Sequence, residues 1–126
     1  MSKIKVLLVD DEEELVFTLS ERLQFRGFDT DAALNSVDAL RLASINDYDV
    51  AVIDLKLPLV TGQDLMKMIK HIQPDLKIIF MTGHCSDDQG RKGIGKGYFD
   101  CLIKPIKIDI LFESIIAAVL SYPEKK

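Results

Sequence analysis

Residues 50–54 read Val-Ala-Val-Ile-Asp, an apolar run that stops abruptly at a carboxylate. A short apolar run bounded by polar residues is typical of a strand that is covered by helices on both faces of a parallel sheet. We therefore predict a central strand over Val50–Ile53, with Asp54 at its carboxyl end.

Helical patterns alternate with four further apolar runs on either side of this strand. We predict strands over Lys5–Val9, Phe28–Ala32, Lys77–Met81 and Tyr98–Ile103. The second is more polar than the others, which suits an edge of the sheet. Apolar residues at helical spacing mark the intervening helices: Leu15, Val16, Leu19 and Leu23 before Gly27; Val37, Leu40 and Ala43 after a Ser36 cap; Leu65, Met68, Ile69 and Ile72 before Pro74; and Ile108, Leu111, Ile115 and Val119.

Strands that alternate with helices pair in parallel through right-handed crossovers, so this order predicts an open, doubly wound α/β sheet. A length of 126 residues is typical of one domain. We expect a single domain over residues 1–126, with its core at about 3–121.

Composition narrows the possible classes of protein. Apolar residues make up 48% of the chain and charged residues 29%, which argues against disorder. The net charge of −4 argues against direct binding of nucleic acid, because basic patches supply most of that affinity. No apolar run reaches the roughly 18 residues of a membrane span, and we find no secretory signal. We expect a cytoplasmic protein in which Cys85 and Cys101 are reduced thiols.

The chemistry should gather beyond the carboxyl ends of the strands, as it does in open parallel sheets. Asp10 and Asp11 follow the first predicted strand, Asp54 the third, Thr82 the fourth and Lys104 the fifth. Carboxylates packed together repel one another unless a cation joins them, and oxygen ligands of this kind suit Mg²⁺. A site with Mg²⁺ and a lysine can stabilise a phosphoryl group, since that chemistry is mainly positioning and charge neutralisation.

Four sequence blocks at these strand ends resemble the signature of bacterial two-component response-regulator receiver domains. They are Val9-Asp10-Asp11-Glu12, Asp54-Leu55-Lys56-Leu57-Pro58 followed by Gly62, Met81-Thr82-Gly83, and Lys104-Pro105. Each block is weak alone, but four in this order across the whole chain are specific. Met81-Thr82-Gly83-His84 is most similar to receivers of transcriptional-activator response regulators.

The resemblance implies a flavodoxin-like (βα)5 fold with strand order 2-1-3-4-5. Asp54 would accept a phosphoryl group from a phosphohistidine on a sensor histidine kinase or phosphotransfer protein. Asp11 would ligate Mg²⁺ directly, Asp10 through water, and the backbone carbonyl of Lys56 would complete the ligands with Asp54. Lys104 would pair with Asp54 and then with a phosphoryl oxygen.

The remaining implications concern signalling. Thr82 would bond to a phosphoryl oxygen and report its presence, and the Lys104-Pro105 peptide bond is expected to be cis. The chain would not be an enzyme beyond its own phosphorylation and dephosphorylation. It would signal to an output domain or downstream protein through its fourth helix, fifth strand and fifth helix.

Cys101 stands where many receivers place an aromatic residue that rotates inward. With glycines through Ser86–Gly97, we expect the fourth helix to be short, distorted or mobile, so the switch would depend on ordering it.

Other readings of the chain fit less well. A phosphatase of the haloacid dehalogenase type requires a D-x-D-x-T motif after the first strand, and Asp10-Asp11-Glu12 does not supply it. A flavin carrier needs a phosphate loop where this chain has consecutive acids, and a degenerate scaffold receiver would lack site residues. Gly90–Gly97 matches part of a nucleotide-binding P-loop, but Gly97 takes the place of the required hydroxyl. His71 and His84 are expected to be solvated surface and rim residues, and Glu12 to belong to the acidic first turn of the first helix.

Overall fold

The computed structural model describes residues 3–83 and 96–121 of the 126-residue chain. Strands and helices alternate through these ranges. In chain order they are β1 Lys5–Val9, α1 Glu13–Phe25, β2 Asp29–Ala33, α2 Ser36–Ile45, β3 Val50–Asp54, α3 Gly62–Ile72, β4 Lys77–Thr82, β5 Asp100–Ile103 and α4 Ile108–Leu120. The predicted fourth helix and its expected mobility concern Ser86–Gly97, which lies outside the described ranges apart from Lys96 and Gly97. The helix α4 is therefore the one that was predicted as the fifth.

The strands form one parallel sheet in the order β2-β1-β3-β4-β5. This confirms the predicted flavodoxin-like α/β fold and places the polar strand β2 at an edge. Every residue of β3 is buried, as a central strand covered on both faces requires. Alternate side chains of β3 enter two separate core clusters: Ile53 packs with residues of α2 and α3, whereas Val52 packs with residues of α1 and α4.

Two details of the prediction are wrong around α2. The residue that caps this helix is Asn35, whose side chain accepts a hydrogen bond of 2.8 Å from the backbone N–H of Asp38. Ser36 is instead buried in the first turn. Val37, which was predicted on the apolar stripe, is 65% exposed, because the sheet lies against the face that carries Ser36, Ala39 and Ala43.

Smaller differences concern helix faces and strand ends. Met68 and Ile72 lie at the rim of the buried face of α3 and are more than 40% exposed. Strand β2 begins one residue later than predicted, because the backbone N–H of Phe28 still donates to the carbonyl of Leu23 in α1 at 3.1 Å. The ring of Phe28 packs against Phe112 of α4, with 5.5 Å between ring centroids. Strand β5 begins at Asp100, two residues later than predicted, and the ring of Tyr98 packs at a tilted angle against Phe80. Within the described residues, none of the helices has the length and apolarity needed to cross a membrane.

Candidate functional site

The carboxyl ends of β1, β3, β4 and β5 meet at one edge of the sheet. Asp54 is the last residue of β3 and pairs with Met81 of β4, and the following residue, Thr82, pairs with Ile103 of β5. Asp10 directly follows β1, and Lys104 directly follows β5. The parallel register therefore brings to one edge the side chains that the sequence places far apart.

Three carboxylates converge at this edge. Asp10, Asp11 and Asp54 each offer an oxygen, and these oxygens all lie within 4.8 Å of one another. Asp10 and Asp54 are buried, whereas Asp11 is exposed. Charges of the same sign held this closely away from water raise the free energy of the folded state unless a cation joins them.

Lys104 supplies one such cation. Its Nζ lies 2.9 Å from Asp10 Oδ2, 3.1 Å from Glu12 Oε1 and 3.2 Å from Asp54 Oδ2. The Lys104-Pro105 peptide bond is cis, as predicted. Burial alone would lower the pKa of Lys104, but its contacts with Asp10 and Glu12 and the charge of Asp54 raise that pKa above its usual range. The lysine is therefore charged throughout the physiological pH range.

The pKa of Asp54 is also raised, but here burial is the main cause. Burial raises the pKa of its carboxyl above the usual value, and the charge of Asp10 adds to this effect. The backbone N–H of Lys56, which donates to Asp54 Oδ1 at 3.2 Å, and the ammonium of Lys104 lower that pKa in part. Asp54 is thus a carboxylate whose charge the protein holds at a cost, with both oxygens contacted by donors.

The site has oxygen donors that fit a divalent cation. The buried Oδ2 of Asp10 lies near the lysine ammonium, but no residue in the described ranges donates an aligned hydrogen bond to it. Asp11 and Asp54 each have an oxygen within 4.8 Å of an Asp10 oxygen and of each other. Hard carboxylate oxygens of this kind are the ligands that Mg²⁺ and Ca²⁺ prefer.

Gly62, the first residue of α3, fixes the position of the backbone under Asp54. A Cβ at this position would lie 2.6 Å from the carbonyl oxygen of Asp54 and 2.8 Å from Cα of Leu55. The Gly62 N–H donates to the carbonyl of Leu55 at 2.9 Å, which joins the start of α3 to the loop after β3. Only glycine allows this close approach.

We predict that Gly62→Ala lowers the free energy of unfolding by about 1–3 kcal/mol, because the added methyl meets backbone atoms that cannot rotate away. Helix propensity alone would predict a higher free energy of unfolding for the alanine variant. A lower value in urea denaturation would therefore indicate the clash with the backbone. Gly83→Ala is the matched control, since a Cβ there meets no atom of the described residues within 4 Å. Equal midpoints for Gly62→Ala and the parent would show that the loop adjusts freely.

The structure brings together Asp10, Asp11, Asp54 and Lys104, and places Thr82, which is buried, at the same edge. The roles predicted for these residues and for the Lys56 carbonyl stay predictions. Cys101 is half-buried and packs on the core, as the prediction of a structural thiol requires. His71 is exposed on α3, as expected.

Some predictions lie outside the described residues, namely those on His84, on Cys85 and on most of the P-loop match. Its last residues, Lys96 and Gly97, precede β5 and do not open a helix. The contact of Glu12 with Lys104 and the close backbone approach at Gly62 were not predicted from the sequence. The sequence marked these two residues only by their positions within the blocks at the strand ends.

Comparisons with known proteins match this chain to one family of domains. Residues 6–116 match the family model described as the response regulator receiver domain. The chain is 32% identical over its whole length to the DNA-binding transcriptional regulator NtrC of Proteus hauseri, and it covers 27% of that protein. It spans less than half the length of the curated relatives that it matches.

Solved structures agree with this match. A response regulator receiver domain protein from Clostridium thermocellum is 30% identical, with a TM-score of 0.82 and coverage of 92% of this chain and 94% of that one. A response regulator from Burkholderia pseudomallei, solved with a phosphorylated aspartic acid, a calcium ion and citrate, is 27% identical with a TM-score of 0.80. The similarity covers 90% of this chain and 66% of that one.

Proposed function

Because the chain belongs to the family of response-regulator receiver domains, we propose that it is a phosphorylation-dependent switch of a two-component system with Asp54 as the phosphoryl acceptor. The observation that carries this proposal is the position of Asp54. It is the buried carboxylate at the end of the central strand, between the lysine ammonium on one side and the acidic pair on the other.

The residues around Asp54 suit an in-line transfer. An oxygen of Asp54 attacks the phosphorus, the bond from phosphorus to the histidine nitrogen of the donor breaks, and an acyl phosphate forms. The product adds about −1.5 to −2 charge, which requires nearby cations. Lys104 neutralises part of that charge, and the N–H of Lys56 holds one carboxylate oxygen in place.

Mg²⁺ would be held by Asp10, Asp11 and Asp54, with the backbone carbonyl of Lys56 as a further ligand. When bound, it would neutralise charge on the phosphoryl oxygens. The donor set supports this assignment, because the carboxylate oxygens converge and Asp10 Oδ2 is buried without an aligned donor in the described residues. Asp54 is at once a metal ligand and the nucleophile in this arrangement.

The partners follow from the same proposal. A sensor histidine kinase or a phosphotransfer protein would supply the phosphoryl group, and an output domain or downstream protein would read the phosphorylated state. The surface of β5, α4 and the segment between β4 and β5 would carry the signal. Half-exposed apolar side chains on this surface, Ile103 and Ile110, support it. We place the protein in the cytoplasm, and we propose no catalysis beyond its own phosphorylation and dephosphorylation.

Incubation with acetyl phosphate and Mg²⁺ tests the proposal directly. Intact mass spectrometry should find one added phosphoryl group per chain, and chelation of the metal should prevent its addition. The purified protein should show no flavin absorbance. A chain that stays unlabelled at saturating donor and metal would reject the proposed function.

Asp11→Ala should weaken Mg²⁺ binding and slow phosphorylation, because one carboxylate ligand is lost. It should also raise the thermal stability in metal-free buffer, since the repulsion within the carboxylate cluster is relieved. A magnesium titration by NMR or calorimetry measures the affinity. Glu14→Ala is a control that removes the same charge from an exposed position on α1. An unchanged magnesium affinity would count against Asp11 as a ligand.

Thr82→Ala should separate phosphorylation from signalling. The variant should still accept the phosphoryl group, but the hydroxyl that reports it to β4 and β5 is gone. We expect the amide chemical shifts of β5 and α4 to change much less on phosphorylation than they do in the parent. Heteronuclear NMR spectra before and after acetyl phosphate measure this, and a full set of parental changes would refute the role of Thr82.

A further inference from the structure

Glu12 places a third carboxylate on the ammonium of Lys104. Its Oε1 lies 3.1 Å from Nζ, at the same range as the oxygens of Asp10 and Asp54. Glu12 is the N-cap residue of α1, yet its side chain makes no capping hydrogen bond to that helix. The backbone N–H of Glu12 donates to Asp10 Oδ1 at 2.9 Å, so the residue is tied to the acidic site through both its backbone and its side chain.

Three carboxylate oxygens surround the ammonium of Lys104. Nζ donates hydrogen bonds to Glu12 Oε1 and Asp54 Oδ2, and Asp10 Oδ2 forms a third ion pair with it at 2.9 Å. A phosphoryl oxygen that approaches Nζ must therefore compete with these carboxylates for the ammonium. Asp10 is fully buried, and its Oδ2 has no hydrogen-bond partner among the described residues, so separation from the ammonium would leave a buried charge uncompensated. The side chain of Glu12 is 64% exposed, so its carboxylate exchanges the lysine for water at little cost.

We infer that Glu12 is a positioning residue that competes with the incoming phosphoryl group for Lys104. This rests on the proposed phosphorylation of Asp54. The Glu12 carboxylate holds Nζ in the unphosphorylated protein, and a phosphoryl oxygen takes its place after transfer. The carbonyl of Glu12 accepts the hydrogen bond from Val16 N–H that begins α1, so the exchange occurs at the start of that helix.

Glu12→Gln tests the competition, because it removes the charge and keeps the size of the side chain. With Mg²⁺ and subsaturating acetyl phosphate, we expect phosphorylation to be about two- to fivefold faster than in the parent, the range expected for loss of one exposed ion pair. Glu13→Gln is the matched control. It removes the same charge from the adjacent exposed residue, for which no contact with Lys104 exists in the described residues. Its rate should stay close to that of the parent.

A second readout concerns the contact itself and needs neither metal nor phosphoryl donor. The ¹⁵Nζ resonance of Lys104 should shift in unphosphorylated Glu12→Gln and stay unchanged in Glu13→Gln. In the parent, the side-chain carboxyl resonance of Glu12 should move on phosphorylation toward that of the solvated Glu13. Equal rates for the two variants, or an unmoved Lys104 resonance, would overturn the competition. A parent that takes no phosphoryl group would instead reject the proposed function.

Discussion

Asp54→Asn is expected to abolish labelling by acetyl phosphate while the fold stays intact. Asparagine has nearly the shape of aspartate but offers no carboxylate to attack phosphorus. The buried Asp54 lies between Lys104 and the acidic pair, and no other carboxylate is both buried and at the end of the central strand. Intact mass spectrometry measures the loss, and circular dichroism verifies the fold. Undiminished, Mg²⁺-dependent labelling of the variant would show that the acceptor is another residue.

The same substitution has a consequence for stability that depends on pH. Burial raises the pKa of Asp54, so its folded-state pKa lies above the unfolded value. Asp54 therefore contributes to the stability of the fold below its unfolded-state pKa, where it is protonated. This stabilisation is lost as the pH rises through its folded-state pKa. In metal-free buffer at neutral pH, Asp54→Asn should be at least as stable as the parent. The difference in free energy of unfolding between the variant and the parent should shrink as the pH falls toward the ordinary pKa of an aspartate. Urea denaturation at several pH values measures this difference.

Lys104→Ala is expected to have the largest effect on stability of the substitutions at this site. It leaves the carboxylates of Asp10 and Asp54 buried without their cation. Loss of one partner from a buried ionic group costs about 3–5 kcal/mol, and we expect about 3 kcal/mol at neutral pH in metal-free buffer. The difference from the parent should narrow at acidic pH, because protonation removes the uncompensated charges. Added Mg²⁺ should recover part of the loss, since it joins the same carboxylates.

Lys107→Ala is the matched control for this experiment, because it removes the same charge from an exposed position in the same loop. Its free energy of unfolding should change by less than about 0.5 kcal/mol. Once phosphorylated, Lys104→Ala should also show reduced shift changes at β5 and α4, because the phosphoryl oxygen has lost its lysine. Equal stabilities for Lys104→Ala and Lys107→Ala in metal-free buffer would mean that the carboxylates do not need the lysine.

The fold, and most of the side chains that converge at the candidate site, could be predicted from the sequence, because they depend on local patterns. The apolar run Val50–Ile53 ends at Asp54 in the chain itself, and the same is true of β1 at Asp10 and of β4 at Thr82. Parallel strands alternating with helices bring those ends to one edge whatever the details of packing. Asp10, Asp54 and Lys104 therefore meet where the order of elements requires it.

Only the tertiary structure decided which side chains contact one another across the chain. Val37 satisfies a helical apolar spacing, but the position of the sheet against α2 leaves it exposed. Glu12 and Lys104 are 92 positions apart, and the acidic first turn of a helix accounts for a glutamate there equally well. In the sequence, Gly62 looks like an ordinary loop glycine. Only the folded structure shows that the backbone of Asp54 and Leu55 lies against it. Periodicity and strand ends are properties of a segment, whereas an ion pair or a close backbone approach exists only after distant segments have packed.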